Sequence, residues 1–266
     1  MHVERINAFP ALRHEWNRLL RSIDGASVFQ TYAWVANWWK HFGDDKELYL
    51  LVARDNGTVT GIAPLMIDPV RVRGLRACRV LRFIGHGITD YLDFLLAPGR
   101  EEEVLRAFSA YMRHSGKGWG LGILGEIPVT SRTHAGLQAA LNEAGIACVT
   151  EEDSPCPYLT LPDDGKRFLS SLSANCRNNI KRKAKKLGRL GELEYRVVTD
   201  DQATALEQFF ALQGIRRTEP LSEAAKQFHR DVSVDLSDSL SLELLSLDGK
   251  DLCALYNYDY GGVRYY

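Results

Sequence analysis

Strand, helix, helix, strand, tight turn, strand: this order of local signals runs over residues 1–67 of the 266-residue chain and again over residues 193–260. The repeat constrains the fold because each copy makes one helix pair with an apolar stripe and one hairpin with an apolar face. Neither is stable until a layer packs on it. The first copy is followed by further strand and helix signals over residues 68–156, the second by Gly261 to Tyr266 alone. The expectation is an α/β protein with mixed sheets and two similar domains, 1–156 and 157–266, the second incomplete. An open third strand at Val263–Tyr266 would then leave an unpaired edge, through which the chain forms a homo-oligomer.

The elements of the first copy follow from side-chain spacing. His2–Ala8 reads as a strand and Ala11–Ile23 as a helix with Leu12, Trp16, Leu19 and Leu20 on one side. Thr31 is an N-cap for a helix over Tyr32–Phe42, and Gly43 closes it. Strands Glu47–Arg54 and Thr58–Ile67 meet at Asn56-Gly57, a pair suited to a turn in which both residues need positive φ. Strands Val80–Ile84 and Tyr91–Leu96, a helix over Arg100–His114, a short buried strand over Trp119–Leu124, a helix over Thr133–Ala144 and a strand over Ile146–Thr150 complete it. Glu151–Gly165, with three prolines, reads as a linker.

The second copy opens with a mostly helical Arg167–Leu187, whose packing side is Leu169, Leu172, Ile180, Ala184 and Leu187. A strand over Glu192–Val198, helices over Ala203–Arg216 and Ser222–Val234, and a hairpin of Leu240–Leu247 with Leu252–Tyr260 about Asp248-Gly249 follow.

A formal net charge of −1 conceals strong segregation. Residues 157–191 carry nine Lys/Arg against two Asp, and residues 192–266 carry seven Lys/Arg against fourteen Asp/Glu. Such local density says more about partners than the total does. The five cysteines are odd in number, scattered and without a CxxC pair, so buried free thiols are expected rather than a disulfide frame or a zinc site, and no metal is expected. Apolar runs such as Leu48–Ala53 are far short of the roughly 20 residues a spanning helix needs. Met1-His2-Val3-Glu4 does not open a signal peptide. A cytoplasmic location is expected, with the inner face of the membrane as the alternative. Gly-x-Ser-x-Gly, His-Glu-x-x-His and Walker loops do not occur.

Several stretches resemble one family. Val28-Phe29-Gln30-Thr31-Tyr32-Ala33-Trp34 followed by Trp38-Trp39-Lys40-His41-Phe42, Phe83-Ile84-Gly85 with Thr89-Asp90-Tyr91-Leu92-Asp93, and Leu172-Ser173 leading to Arg177-Asn178-Asn179-Ile180-Lys181-Arg182 are similar to the FemAB-like, CelD-type branch of the GNAT acyltransferases. The resemblance covers essentially the whole chain. It implies two tandem GNAT-like domains. The implied activity transfers an acetyl, acyl or aminoacyl group to an amine, on a sugar or cell-envelope precursor in polysaccharide biosynthesis. It implies acyl-CoA, acetyl-CoA first, as donor, with aminoacyl-tRNA second. The family's pyrophosphate loop would fall at Leu96-Ala97-Pro98-Gly99-Arg100-Glu101-Glu102-Glu103, where three glutamates would repel a phosphate, so the first domain reads as degenerate.

The candidate site residues carry two readings each. Arg177, Asn178, Lys181 and Arg182 open a run with seven positive charges in residues 177–189 and no acid. They form either a solvated face complementing the acidic C-terminal piece or a cradle for a phosphate on a nucleotide-sugar, CoA or tRNA. The run has no aromatic residue for base stacking, which disfavours nucleic acid. Asp90 and Asp93, with Tyr91 and His86 on the same Gly-rich bend, either cap turn amides or take a proton from an amine. Tyr258, alternating with Tyr256 and Tyr260, either packs across strands or protonates a departing thiolate, as the resemblance implies. Trp34 is core or lines a sugar face, and Tyr91 is a further candidate for substrate binding. A non-catalytic module binding an anion or a nucleotide-sugar is the alternative to the enzyme.

Overall fold

The structure of the protein, a computed structural model, describes residues 1–70, 78–114, 118–216 and 219–266. It is a mixed α/β structure with two sheets, and the chain divides into two compact units. The first comprises Met1–Asp153, Ser222–Ser239 and Asp259–Tyr265; the second comprises Ser154–Leu221 and Leu240–Tyr258, with Tyr266.

In the first unit the elements are β1 (His2–Ile6), α1 (Arg13–Arg21), α2 (Tyr32–Phe42), β2 (Glu47–Asp55), β3 (Thr58–Val70), β4 (Cys78–Phe83), β5 (Leu95–Leu96), α3 (Glu101–His114), β6 (Leu121–Gly122) and α4 (Arg132–Glu143). The sheet runs β1-β2-β3-β4-β6, antiparallel up to β4, with β6 parallel to β4. Thr31 accepts the Trp34 N–H at 3.2 Å, and the Gly43 N–H reaches Trp39 O at 2.9 Å, so both ends of α2 close as their residue types require. Asn56 and Gly57 adopt φ 46° and 79°, which fixes the β2–β3 register.

Alternation along the strands sorts the core. Tyr49, Leu51, Ala53, Ala63, Leu65, Ile67, Leu81 and Phe83 share one side with Val104, Leu105, Phe108 and Met112 of α3 and with Leu137 and Ala140 of α4. Leu50, Val52 and Ile62, also fully buried, take the opposite face. Pro64 sits inside β3 without breaking it. Its carbonyl accepts from Ile84 N–H at 2.9 Å, so its N side faces the same edge, in the gap where that edge passes from β5 (Gly61, Ile62) to β4 (Leu65 onward). A missing N–H leaves nothing unsatisfied there.

The chain returns to this unit with α8 (Glu223–Asp235), which packs on α2. Trp34 and Phe228 meet at 5.3 Å, and Phe42 and Phe228 at 5.6 Å. Around this apolar centre Lys40 Nζ and His41 Nε2 lie 2.6 and 2.7 Å from Asp231 Oδ2, and Asn37 Nδ2 donates to Asp235 at 2.7 Å.

The second unit holds α5 (Gly165–Ser171), α6 (Ala174–Leu187), β7 (Leu193–Val198), α7 (Gln202–Arg216), β8 (Leu240–Leu247) and most of β9 (Lys250–Tyr260). Beyond the turn at Gly261-Gly262, at φ 58° and 77°, β10 (Val263–Tyr265) follows β9 and belongs with the first unit. The strand order β10-β9-β8-β7 retraces, strand for strand, the β1-β2-β3-β4 meander of the first copy, and Asp248-Gly249 at φ 49° and 74° matches Asn56-Gly57. Leu242 and Leu244 are buried on the face where α7 packs. Tyr195, Val197 and Leu255 on the other face are 61%, 53% and 52% exposed.

Several expectations are corrected. Residues 146–150 form no strand; Ile146 N–H bonds Leu141 O in a helix-closing turn. Of 91–96 only Leu95–Leu96 is strand, because the preceding residues turn inward to fill the core, and Leu121–Gly122 is an exposed two-residue bridge rather than a buried strand. The mostly helical stretch 167–187 is two helices parted at Leu172-Ser173, where Ser173 caps α6 by accepting Cys176 N–H at 3.2 Å, and the expected packing side is not buried: neither α5 nor α6 buries a side chain. The thiols are free, as expected, but not buried: Cys156, Cys176 and Cys253 are exposed and Cys78 and Cys148 half-buried.

Candidate functional site

The bend between β4 and α3 carries the first group of candidates. Gly85 and Gly87 take φ 113° and 95°, which lets the chain leave β4 and fold back over the sheet. Leu92 and Phe94 thereby enter the core, Phe94 lying 5.3 Å from Phe83 and 5.7 Å from Phe108. Asp93 is drawn in between them. Its Oδ1 accepts the Phe94 N–H at 2.8 Å. Burial pushes its carboxyl up to about 6, against the opposing pull of Thr133, of the Phe94 N–H and of Ser131. A carboxyl at that value changes charge near neutrality, the property a proton acceptor needs.

Asp90, three residues earlier on the same bend, is exposed. Glu126 sits in the same acidic end of the unit: burial raises its carboxyl, and Asp153 and Asp90 push it further up. Glu126 also takes φ 64°, outside the usual range for its residue type. Sequence reasoning missed it, since it lies 36 residues past Asp90 with no shared motif. Arg82 Nη1 lies 2.9 Å from His86 Nε2, so that ring nitrogen is the acceptor.

Tyr91, at φ 53°, is placed in an aromatic group. It stacks on Phe29 at 6.1 Å with 5° between the rings and meets Tyr265 edge-on at 5.9 Å. Phe29 also meets Trp34 at 4.8 Å and Tyr265 at 5.3 Å. Trp34 is 4% exposed and its Nε1 donates to Thr89 Oγ1 at 3.0 Å, which ties α2 to the bend. Trp34 and Tyr91 are thus brought together through Phe29, a residue whose role no local spacing signals.

At the N-terminus of α3, Glu101, Glu102 and Glu103 occupy the first turn. Arg100, the cation there, bonds Glu103 at 2.7 Å and Asp55 at 3.0 Å. The helix end is already neutralised by its own carboxylates and has no cation to spare for a phosphate.

The second unit carries the other candidates. Tyr258 on β9 is 3% exposed, and its hydroxyl lies 2.6 Å from that of Tyr256; Tyr256 in turn packs on Phe209 of α7 at 5.3 Å. Arg177 in the first turn of α6 donates to Ser170 O at 3.0 Å and also to Leu172 O, closing the α5–α6 corner. Asn178 and Lys181 are exposed, and Arg182 Nη2 donates to Asn179 Oδ1 at 2.9 Å. Asp90, Asp93, Tyr91 and Trp34 therefore belong to the first unit, and Arg177, Asn178, Lys181, Arg182 and Tyr258 to the second. No group of three or more His, Cys, Asp or Glu side chains suited to a metal occurs among the described residues. No helix among them is long and apolar enough to cross a membrane.

The first unit thus combines an antiparallel meander, a helix pair and a β4-α3-β6 crossover. Residues 174–266 match the model of the acetyltransferase (GNAT) domain. FemX matches 93% of the chain at a TM-score of 0.55 and 14% identity, and the chain spans 58% of the length of FemX. Residues 174–266 are thus similar to a GNAT acetyltransferase domain, and the fold of the chain is similar to that of FemX. The aminoglycoside N-acetyltransferase AAC(6′)-Iy, solved with CoA, aligns over 60% of this chain and 99% of its own at 15% identity and a TM-score of 0.35. A ribosomal-protein-alanine N-acetyltransferase from Brucella melitensis biovar Abortus aligns over 59% and 100% at 12% identity and a TM-score of 0.32. No curated protein matches the chain.

Proposed function

We propose that the protein is an N-acyltransferase that moves an acetyl or longer acyl group from a CoA thioester to a primary amine. The observation that carries this is the GNAT domain match over residues 174–266, the stretch that contains most of the second meander. In the reaction the amine lone pair attacks the thioester carbonyl carbon, a C–N bond forms, the C–S bond breaks, and the amine proton must leave. Asp93, with its carboxyl lifted to about 6, is the proton acceptor in this reading, directly or through water, with Asp90 as the alternative. Tyr258 returns a proton to the CoA thiolate. Arg177, Asn178, Lys181 and Arg182 hold substrate phosphate, while Tyr91 and Trp34 shape an acceptor face. The acidic end formed by Asp90, Glu126 and Asp153 suits an acceptor that arrives as an ammonium.

The same reading takes 1–156 and 157–266 as tandem GNAT-like domains. It gives the first domain no part in holding the CoA pyrophosphate, because the α3 terminus is self-neutralised. The acceptor class is an amino-sugar, a nucleotide-sugar or another envelope precursor, in polysaccharide biosynthesis in the cytoplasm. Aminoacyl-tRNA is the alternative donor. The test is a thermal melt of the protein with acetyl-CoA at millimolar concentration, together with thiol release in the presence of an amino-sugar. The expected results are a rise in Tm and release that Tyr258→Phe slows by about 100-fold. No rise in Tm and no thiol release would overturn the enzyme reading.

A further inference from the structure

We propose that α6 docks the protein on an anionic lipid bilayer. The helix is fourteen residues long, about 21 Å, and buries none of its side chains. Cys176, Ile180, Ala184 and Leu187 recur at the i, i+4, i+8, i+11 spacing that makes one continuous stripe along a helix. Ile180 is 44% exposed, Cys176 and Ala184 are exposed, and Leu187 is half-buried. Leu190, just past the helix, is 64% exposed, and Leu169 on α5 is 43% exposed. The rest of the circumference is cationic: Lys181, Arg182, Lys183, Lys185 and Lys186 are all exposed, with Arg189 following.

Two properties together select the occupant. The cations, with no acid between residues 177 and 189, complement a dense negative surface. The apolar stripe beside them needs a phase that accepts hydrocarbon, which a soluble polyanion does not offer. A helix lying in the plane of an anionic bilayer satisfies both, with Ile180, Ala184 and Leu187 at the acyl boundary and the lysine stems reaching headgroup phosphates. RNA is the weaker match, because the helix has no aromatic residue to stack on bases. The substrate-phosphate reading above uses Arg177, Asn178, Lys181 and Arg182, whereas Lys183, Lys185, Lys186 and Arg189 belong to the bilayer contact alone. The bilayer contact uses the stripe and the later lysines, and does not depend on catalysis.

The experiment is co-sedimentation of the full chain with vesicles of equimolar phosphatidylcholine and phosphatidylglycerol, and with vesicles of phosphatidylcholine alone. Tighter binding to the anionic vesicles by about 10-fold or more is expected, weakening with salt. Ile180→Asp should lose most of the vesicle binding while its retention on heparin, a soluble polyanion, falls only slightly. Ala184→Leu, which widens the stripe at an exposed position, should tighten vesicle binding and leave heparin retention unchanged. Three results would overturn the proposal: no preference for anionic vesicles, vesicle binding by both variants equal to the parent, or displacement of the protein from vesicles by tRNA at equal phosphate concentration. The Ala184→Leu arm stands even if Ile180→Asp folds poorly.

Discussion

Asp93→Asn isolates a single buried charge. In the folded chain the Asp93 carboxyl titrates at about 6, against 3.8 for the ordinary group, because the fold removes it from water. A carboxyl raised in the folded state opposes folding when ionised. Well below 3.8 the group is protonated in both states and exerts no effect. Between about 4 and 6 the folded state holds the proton that the unfolded state has released, so stability falls as pH rises. Above that window the full penalty stands, at 1.36 kcal/mol for each pKa unit, or about 3 kcal/mol. Asparagine keeps an oxygen for the Phe94 N–H, now 2.8 Å from Asp93, and removes the charge. Urea titrations of parent and variant at half-unit steps from about pH 3 to about pH 7.5 should give curves that nearly coincide near pH 3 and then diverge, the variant being more stable by up to about 3 kcal/mol at pH 7. The carbon-13 shift of the Asp93 carboxyl should titrate through the same window. A stability difference that does not change with pH, or a carboxyl titrating near 4, would refute the burial argument and with it the case for Asp93 as a proton acceptor.

Gly61→Ala tests the contact of β3 with α3. A Cβ at Gly61 would lie 2.3 Å from Val104 Cγ1 and 3.2 Å from Phe108 Cζ, and a β-branched side chain in a packed core has little room to yield. The expected loss is about 1–3 kcal/mol, read as a lower urea midpoint with an unchanged m-value. Arg54→Ala removes three bonds to carboxylates, to Glu15 Oε1 and Oε2 at 2.6 and 2.9 Å and to Glu4 Oε1 at 2.6 Å, and a longer one to Gly57 O at 3.4 Å. Two half-buried carboxylates then lose their cation, at a cost of about 1–3 kcal/mol, and a shared lysine at position 54 should restore less than half because it lacks the fork.

How much of this was legible before the coordinates depends on range. The caps at Thr31 and Gly43 and the turns at Asn56-Gly57 and Asp248-Gly249 each follow from residues within four positions of one another, and the structure realises all of them. The mostly helical stretch Arg167–Leu187 forms as two helices, because Ser173, which bonds Cys176 N–H, is a cap that stops one helix and starts another. The charge on α6 was plain in the sequence, yet the assignment of Arg177 to the corner at Ser170 and Leu172 needed the fold.

By itself the sequence determined the repeated meander and its turns, because hydrogen bonds to near neighbours and side-chain alternation act over a few residues. Tertiary structure alone decided that α8 returns to α2, through partners as distant as Lys40 and Asp231, 191 positions apart. It also decided that Trp34 is enclosed by Phe29 and Phe228, and that Asp93 rather than Asp90 is the carboxyl taken out of water. Burial and its electrostatic consequences are properties of what surrounds a residue on all sides, and most of those surroundings come from remote parts of the chain.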